Sequence, residues 1–337
     1  MTPRLAAWPA LLALACPAAA GEAPSLTLEI PVELQLDQEA APPRTRDLYL
    51  TVEPSGSLGL APGMGIEFGA VLEPLSGPGP GQRRAFADHG LYLETLALSL
   101  ETGPLVLRAG KINPAFGFAW DLAPGVYGTA LAEEYELTER LGASATLALD
   151  DATALTAAGF TADRSPLGGS LLTRRDRLRR SDGGAGNAGA FSSWSLSLDG
   201  SLAAAPEMRY TAGVRYLPAG RGGGRDEVGA VAGLAAEFQA GAFTLRPLAE
   251  VAVLGDAGGE RGDVVQPTLA LEAASGPWFL VASHAGRHGA ADSDATLSQV
   301  GAGYRWEDGP VLDLAYARSR DAGDTSHLVG FRLSFDL

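Results

Sequence analysis

Residues 26–36 read LTLEIPVELQL, and an apolar side chain occupies every second position of this stretch. The same alternation returns in residues 243–253 (FTLRPLAEVAV) and 327–337 (HLVGFRLSFDL). A period of two is typical of a β-strand whose two faces meet different surroundings. These segments are about eleven residues long, which exceeds the usual globular strand and matches the length that a tilted strand needs to cross a bilayer. The pattern therefore predicts membrane-spanning strands.

Sixteen such segments can be placed along the chain. The predicted strands are 25–36, 48–60, 64–74, 90–100, 104–111, 136–149, 152–163, 191–200, 207–217, 227–239, 242–254, 263–274, 277–287, 295–307, 310–319 and 326–337. The predicted connections alternate between short and long, and the last long one is 320–325. An even number of strands with short periplasmic turns and long extracellular loops predicts an all-β fold, a transmembrane antiparallel β-barrel. A soluble exported β-sandwich that binds a ligand remains the alternative from another class, although its connections have no reason to alternate in length.

Five aromatic residues occupy positions that the alternation turns outward, and they lie close to the short turns or to the last residue of the chain. An interfacial ring of aromatic side chains is typical of membrane barrels, whereas the core of a sandwich would place them in the middle of the strands. The predicted ring consists of Phe238, Phe243, Trp278, Trp306 and Phe335.

Composition excludes several other classes of protein. The 25 basic and 40 acidic residues give a net charge of −15, which argues against a nucleic-acid binder. One Cys excludes a disulfide framework. The four His lack the spacing of metal ligands, and no Ser lies in a nucleophile motif. We therefore predict that the protein is not an enzyme and that it uses no cofactor and no metal.

The first twenty residues have the three parts of a secretory signal peptide. Arg4 provides the positive start, residues 5–15 form an apolar run, and three Ala at 18–20 precede the predicted cleavage point. We predict a signal peptide at 1–20 and a barrel at 21–337, and therefore a location in the outer membrane, in contact with its lipid.

A short motif and the whole layout resemble one family. Residues 110–117 read GKINPAFG, which is similar to the strand-to-loop segment of phosphate-selective-type porins. The order of strands resembles a sixteen-stranded Gram-negative outer-membrane porin. This resemblance implies a passive diffusion channel for small hydrophilic solutes, a homotrimer, and a third loop, here 112–135, that folds inward and narrows the pore. The alternative within the family is a substrate-selective porin for siderophores or phosphate.

Charged residues at positions that the alternation turns inward are the candidates for the pore lining, because a charge on the lipid face is costly. Alternation turns several Glu of the first three strands inward, among them Glu53 and Glu73, and leaves Glu94 ambiguous because the phase slips in its strand. The predicted constriction combines residues of the third loop with basic residues of the wall: Arg108, Lys111, Asp121, Glu133, Glu134, Arg140, Arg209, Arg215 and Arg246. An acidic loop opposed to a basic wall predicts a weak preference for anions. The alternative is that these charges only pair with one another and hydrate the lumen.

Overall fold

The structure, a computed structural model, describes residues 25–42, 44–222, 224–289 and 294–337. The predicted signal peptide lies outside these residues. The described residues form one sheet in which every barrel strand pairs antiparallel with its neighbours in sequence. The first strand also pairs with the last, for example Val32 with Phe335, so that the sheet closes into a barrel.

Sixteen barrel strands are present among the described residues, which confirms the predicted number. We number them β1 to β16: Leu26–Glu29 continued by Pro31–Glu39, Arg46–Val52 continued by Ser55–Ala61, Met64–Pro74, His89–Thr102, Leu105–Ile112, Arg140–Ala148, Thr153–Ala162, Ser193–Leu202, Ala205–Leu217, Glu227–Ala236 continued by Phe238–Ala240, Phe243–Gly255, Val264–Ser275, Trp278–Gly289, Ala295–Arg305, Val311–Asp321 and Asp324–Asp336. Two three-residue strands, Arg83–Ala85 and Ser170–Leu172, pair with the rims of β2 and β4.

The two faces of the wall differ as the alternation predicts. On β12 the side chain of Leu269 points outward and is 54 % exposed, whereas its neighbour Thr268 points inward and is 1 % exposed. Exposed Leu and Val side chains recur on the outer face of most strands, which gives the barrel an apolar exterior. Four of the predicted ring residues, Phe238, Phe243, Trp278 and Trp306, are exposed close to short turns, whereas Phe335 is half-buried.

The phase slip near Glu94 is a β-bulge. Gly69 of β3 pairs with Thr95 of β4, and the next residue, Ala70, pairs with Leu93, so that Glu94 is the extra residue. A bulge shifts the alternation by one position. This extra residue explains why the simple pattern left the direction of Glu94 ambiguous.

The connections at one end of the barrel vary widely. They include 40–45, 75–88, 113–139, 163–192, 218–226 and 256–263, whereas at the other end 62–63, 103–104 and 241–242 are tight turns. The expected long loop at 320–325 is wrong, because β15 and β16 meet in a tight turn at 322–323. Gly323 there has a φ of 93°, a conformation that glycine adopts without strain.

The third connection at that end, residues 113–139, is named the inner loop here. It contains one short helix, α1 (Ala119–Leu122), and a 3₁₀ turn, Glu133–Tyr135. Its predicted end at residue 135 is too early, because the chain stays irregular until Arg140 starts β6. Glu139 has a φ of 53°, and its N–H donates to the Asn113 Oδ1 at 2.9 Å, which joins the two ends of the loop.

No helix among the described residues is long and apolar enough to span a bilayer.

Candidate channel aperture

The inner loop packs against the inner face of one side of the barrel. Its buried side chains Phe116, Phe118, Tyr135 and Leu137 form a hydrophobic cluster with inward side chains of β7 and of β9 to β12. Those wall residues are Ala158, Phe160, Leu217, Val231, Ala235, Leu248, Ala252, Leu254 and Ala270. Apolar burial of this extent contributes to holding the loop on the wall. We call the inner face of β9 to β14 the packed wall.

Glycine permits the close approach of the loop to this wall. A Cβ on Gly233 of β10 would lie 2.8 Å from the Phe118 ring and 2.8 Å from a carboxylate oxygen of Glu250. These separations are shorter than real carbon contacts allow. A side chain at this position would therefore force the Phe118 ring and the Glu250 carboxylate to shift.

Glu250 of β11 is the main polar anchor of the loop. Its carboxylate is buried, with 3 % of the residue exposed, and accepts hydrogen bonds from the Phe118 N–H at 2.7 Å and the Ala119 N–H at 3.0 Å. The Tyr135 hydroxyl donates to the same group at 2.5 Å. A buried carboxylate is costly unless donors surround it, and here three donors from both arms of the loop do so. Glu250 therefore fixes the start and the end of the loop together.

The tip of the loop is held further round the barrel. The Gln299 side chain of β14 accepts from the Tyr127 N–H at 3.1 Å and donates to the Pro124 carbonyl at 3.0 Å. The Tyr127 hydroxyl then donates to Asp37 of β1 at 2.7 Å. These contacts place the tip between the packed wall and β1.

Two predicted constriction residues lie away from any open passage. The Lys111 side chain has 0 % exposure and pairs with Glu139 at 2.8 Å and with Asp163 at 3.0 Å, beneath the connection 163–192. Arg215 is behind the inner loop with 4 % of its side chain exposed, and it pairs with Glu227 at 2.6 Å. The structure corrects both placements, because a charge buried in a pair cannot line an aperture.

The other basic residues of the predicted set lie on the wall. Arg108 of β5 pairs with Glu67 at 2.7 Å, and Arg246 of β11 pairs with Glu237 and Glu272, both at 2.6 Å. Arg209 of β9 lies near Asp121 of the loop. The Arg140 Nε is buried with no hydrogen-bond partner among the described residues.

The acidic residues of the predicted set lie on the inner loop and point in two directions. Glu134 turns to the packed wall, where it pairs with Arg287 at 2.7 Å and accepts from Gln266 at 3.0 Å. Asp121 and Glu133 are exposed. Glu133 accepts from the Thr129 hydroxyl at 2.5 Å, a neutral partner that leaves its charge uncompensated.

The inner face of β1 to β4 is not covered by the apolar part of the loop, and we call it the open wall. It carries Glu33, Glu53, Glu73 and Glu94, and Glu53 is within electrostatic range of the other three and of Glu133 on the loop. Carboxylates therefore face one another from the wall and from the loop.

Glu136 completes this acidic lining from the return arm of the inner loop. Burial, together with the charges of Glu94, Glu133, Asp121 and Glu53, raises the pKa of Glu136 to about 8. Burial disfavours the ionised form most, and the neighbouring like charges disfavour it further. We name Glu53, Glu73, Glu94, Glu133 and Glu136 the aperture carboxylates.

The anchors of the loop, Glu250, Gln299 and Asp37, were not among the predicted site residues. Glu250 carries a weak signal, since it is a carboxylate in the otherwise apolar run 247–254. Such a residue predicts a polar partner, but the donors lie more than a hundred positions away along the chain. Sequence periodicity contains no information about that pairing.

Sequence comparisons find no match, whereas comparisons of structure find proteins of similar fold. No protein-family model matches the chain, and no curated protein matches it in sequence. The anion-selective porin from Comamonas acidovorans is 13 % identical, with a TM-score of 0.57 over 94 % of this chain and 100 % of that one.

Two further solved structures give the same result. OpdK of Pseudomonas aeruginosa with vanillate is 12 % identical, with a TM-score of 0.57 over 93 % of this chain and 98 % of that one. A mutant of the Rh. blastica porin is 14 % identical, with a TM-score of 0.59 over 93 % and 100 % of the two chains. The chain therefore has the fold of the sixteen-stranded outer-membrane porins.

Proposed function

We propose that the protein is a passive diffusion channel of an outer membrane, through which small hydrophilic solutes move down their gradients. The observation that carries the proposal is the contrast between the two faces of the closed wall. The outer face is apolar, while exposed carboxylates of the inner loop and of the open wall face the interior. A barrel of sixteen strands is wide enough to hold water, and the inner loop narrows it.

The proposal includes an orientation. In barrels of this class the short turns face the periplasm, so the end with the connections 113–139 and 163–192 would face the exterior of the cell. Residues 1–20 would direct export and be removed.

Bilayer recording tests the channel. The full chain, purified in detergent and inserted into planar bilayers, should give discrete conductance steps that rise linearly with salt concentration. Liposomes that contain it should swell in small sugars at rates that fall with sugar size. The control is the same protein heated until its fast-migrating folded band disappears on a gel.

The outcomes separate the alternatives. Folded protein that gives neither conductance nor swelling would contradict the channel. Flux that saturates with one solute would support a substrate-selective porin, which no observation of the interior favours at present. The homotrimer and the likeness to phosphate-selective-type porins rest on the resemblance of the sequence alone. They stay predictions, and the native mass in mild detergent tests the first of them.

A further inference from the structure

We propose that the aperture prefers cations, so that small inorganic and amine-bearing cations are the favoured solutes of the channel. This inference rests on the proposed channel function and adds the class of solute. It reverses the weak anion preference that the sequence suggested. Two independent sets of contacts support it: the partners of the aperture carboxylates and the partners of the arginines on the wall.

The aperture carboxylates form no ion pair with a described residue. Lys111 is within electrostatic range of Glu94 and Arg175 within range of Glu73, but both cations pair directly with Glu139. On the open wall, Glu73 accepts a short hydrogen bond from the Tyr92 hydroxyl, and Glu94 bonds to the Asn113 side chain. On the loop, Glu133 bonds to Thr129. All of these partners are neutral. Because none of the aperture carboxylates forms an ion pair with a described residue, their negative charge acts on whatever passes between loop and wall.

Most arginines of the wall, in contrast, are paired with acids, whereas Arg140 forms no ion pair with a described residue and is only within electrostatic range of Glu139 and Glu227. Arg246 shares Glu272 with Arg305, and both contacts measure 2.6 Å. Arg332 pairs with Asp313 at 2.9 Å and approaches Glu33 at 3.6 Å. An arginine held against a carboxylate contributes little net field to the lumen. Most of the basic wall that would attract anions is thus neutralised locally or, for Arg215, lies behind the loop.

Geometry concentrates the remaining negative field. The aperture carboxylates come from two elements that face each other, the open wall and the inner loop, and Glu53 and Glu136 interact electrostatically across this space. A narrow passage between low-dielectric walls focuses the field of its lining charges, whereas charges at the wide mouths are screened within about 8 Å at physiological salt. A cation in the passage is therefore stabilised and an anion is repelled.

The reversal potential under a potassium chloride gradient tests the inference with the wild-type chain alone. We expect a permeability ratio of potassium to chloride of about three or more. At pH 9, where Glu136 is largely ionised, a Glu53→Gln/Glu136→Gln double variant keeps the side-chain volumes and removes two aperture charges, so the ratio should fall by about twofold. Heat-modifiable migration on a gel verifies that the variant is folded.

A matched control removes two carboxylates at the short-turn end. Asp150 and Asp151 are exposed there, and an Asp150→Asn/Asp151→Asn variant should leave the ratio close to that of the wild type. A wild-type channel that prefers chloride, or an equal effect of both double variants, would overturn the cation preference while leaving the channel intact. Folded protein without conductance would instead overturn the channel on which the preference rests.

Discussion

The packed wall and the open wall use the same residue type for opposite purposes. On the packed wall, Glu250 is surrounded by three donors of the inner loop and holds the loop in place. On the open wall, Glu53 is exposed, and the charged groups that act on it most strongly among the described residues are other carboxylates. What distinguishes the two glutamates is the path of one loop through the barrel. A lumen-facing carboxylate is an anchor where the loop covers it and a part of the permeation path where the loop does not.

The largest expected effect comes from removing the anchor. Glu250→Ala leaves the Phe118 and Ala119 N–H groups and the Tyr135 hydroxyl without their buried acceptor, so the free energy of unfolding should fall by about 3 kcal/mol. The loop should also detach, which predicts larger and noisier single-channel currents. Urea unfolding in detergent and bilayer recording measure the two effects.

Two variants calibrate this result. Glu250→Gln keeps one acceptor oxygen and should fall between the wild type and Glu250→Ala. Glu207→Ala removes an exposed carboxylate of β9 near a short turn and should change neither measurement. If Glu250→Ala conducts like the wild type, the loop is held by its apolar cluster alone, and the distinction between anchor and aperture carboxylates disappears.

A second prediction tests the difference between the inner and the outer face of one strand. Leu269→Arg places a charge on the exposed outer face of β12, where hydrocarbon solvates it poorly, at a cost of about 2–4 kcal/mol near the midplane. We expect much less folded, heat-modifiable protein in the membrane fraction. Leu269→Val, the apolar control, should give normal amounts. Equal amounts for both variants would mean that this face is not in lipid.

The alternation of apolar and polar residues made the strands predictable, because it reflects directly the two surroundings of a barrel wall. Thr268 and Leu269 are adjacent in sequence and lie on opposite faces, as the pattern requires. The turn at 322–323 was missed since a strand that extends beyond the lipid keeps few apolar residues to mark it. The inner loop has no periodicity, so its anchors could be located only in three dimensions.

The errors at the candidate site have a related cause. Arg108 and Lys111 are three positions apart on one strand, so alternation directs them to opposite faces, and only Arg108 is directed to the lumen. The structure buries Lys111 under the connection 163–192, where Glu139 and Asp163 neutralise it. Arg215 does point inward, but the loop covers it. The alternation along a strand predicts to which face a side chain points. Whether that side chain is exposed then depends on which loop lies above it.

A third prediction concerns the pH dependence of the cation preference, which depends on the carboxylates that the loop leaves open. Because the pKa of Glu136 is raised to about 8, this group is largely protonated at pH 6 and largely ionised at pH 9. Its negative charge therefore appears as the pH rises, and the cation preference should increase over that range. Reversal potentials at several pH values measure the change. In the Glu136→Gln variant the cation preference should no longer increase at the higher pH values. A preference that is constant from pH 6 to 9 in the wild type would contradict the raised pKa of Glu136.

The smallest expected effect concerns the ion pair between Arg108 and Glu67 on the wall. Both side chains are about one-third exposed, 35 % and 34 %, so the pair contributes at most about 1 kcal/mol to stability.

The effect of this ion pair on permeation should be easier to detect. Arg108→Gln leaves Glu67 as one more uncompensated carboxylate, and the potassium preference should rise slightly. Arg108→Gln/Glu67→Gln removes both charges and should return the permeability ratio to the wild-type value. The two variants share the loss of Arg108 and differ only in Glu67. Their comparison therefore isolates the neutralising role of the acidic partner. If the single and the double variant shift the ratio equally, Arg108 acts on solutes directly, and the paired arginines of the wall do contribute to selectivity.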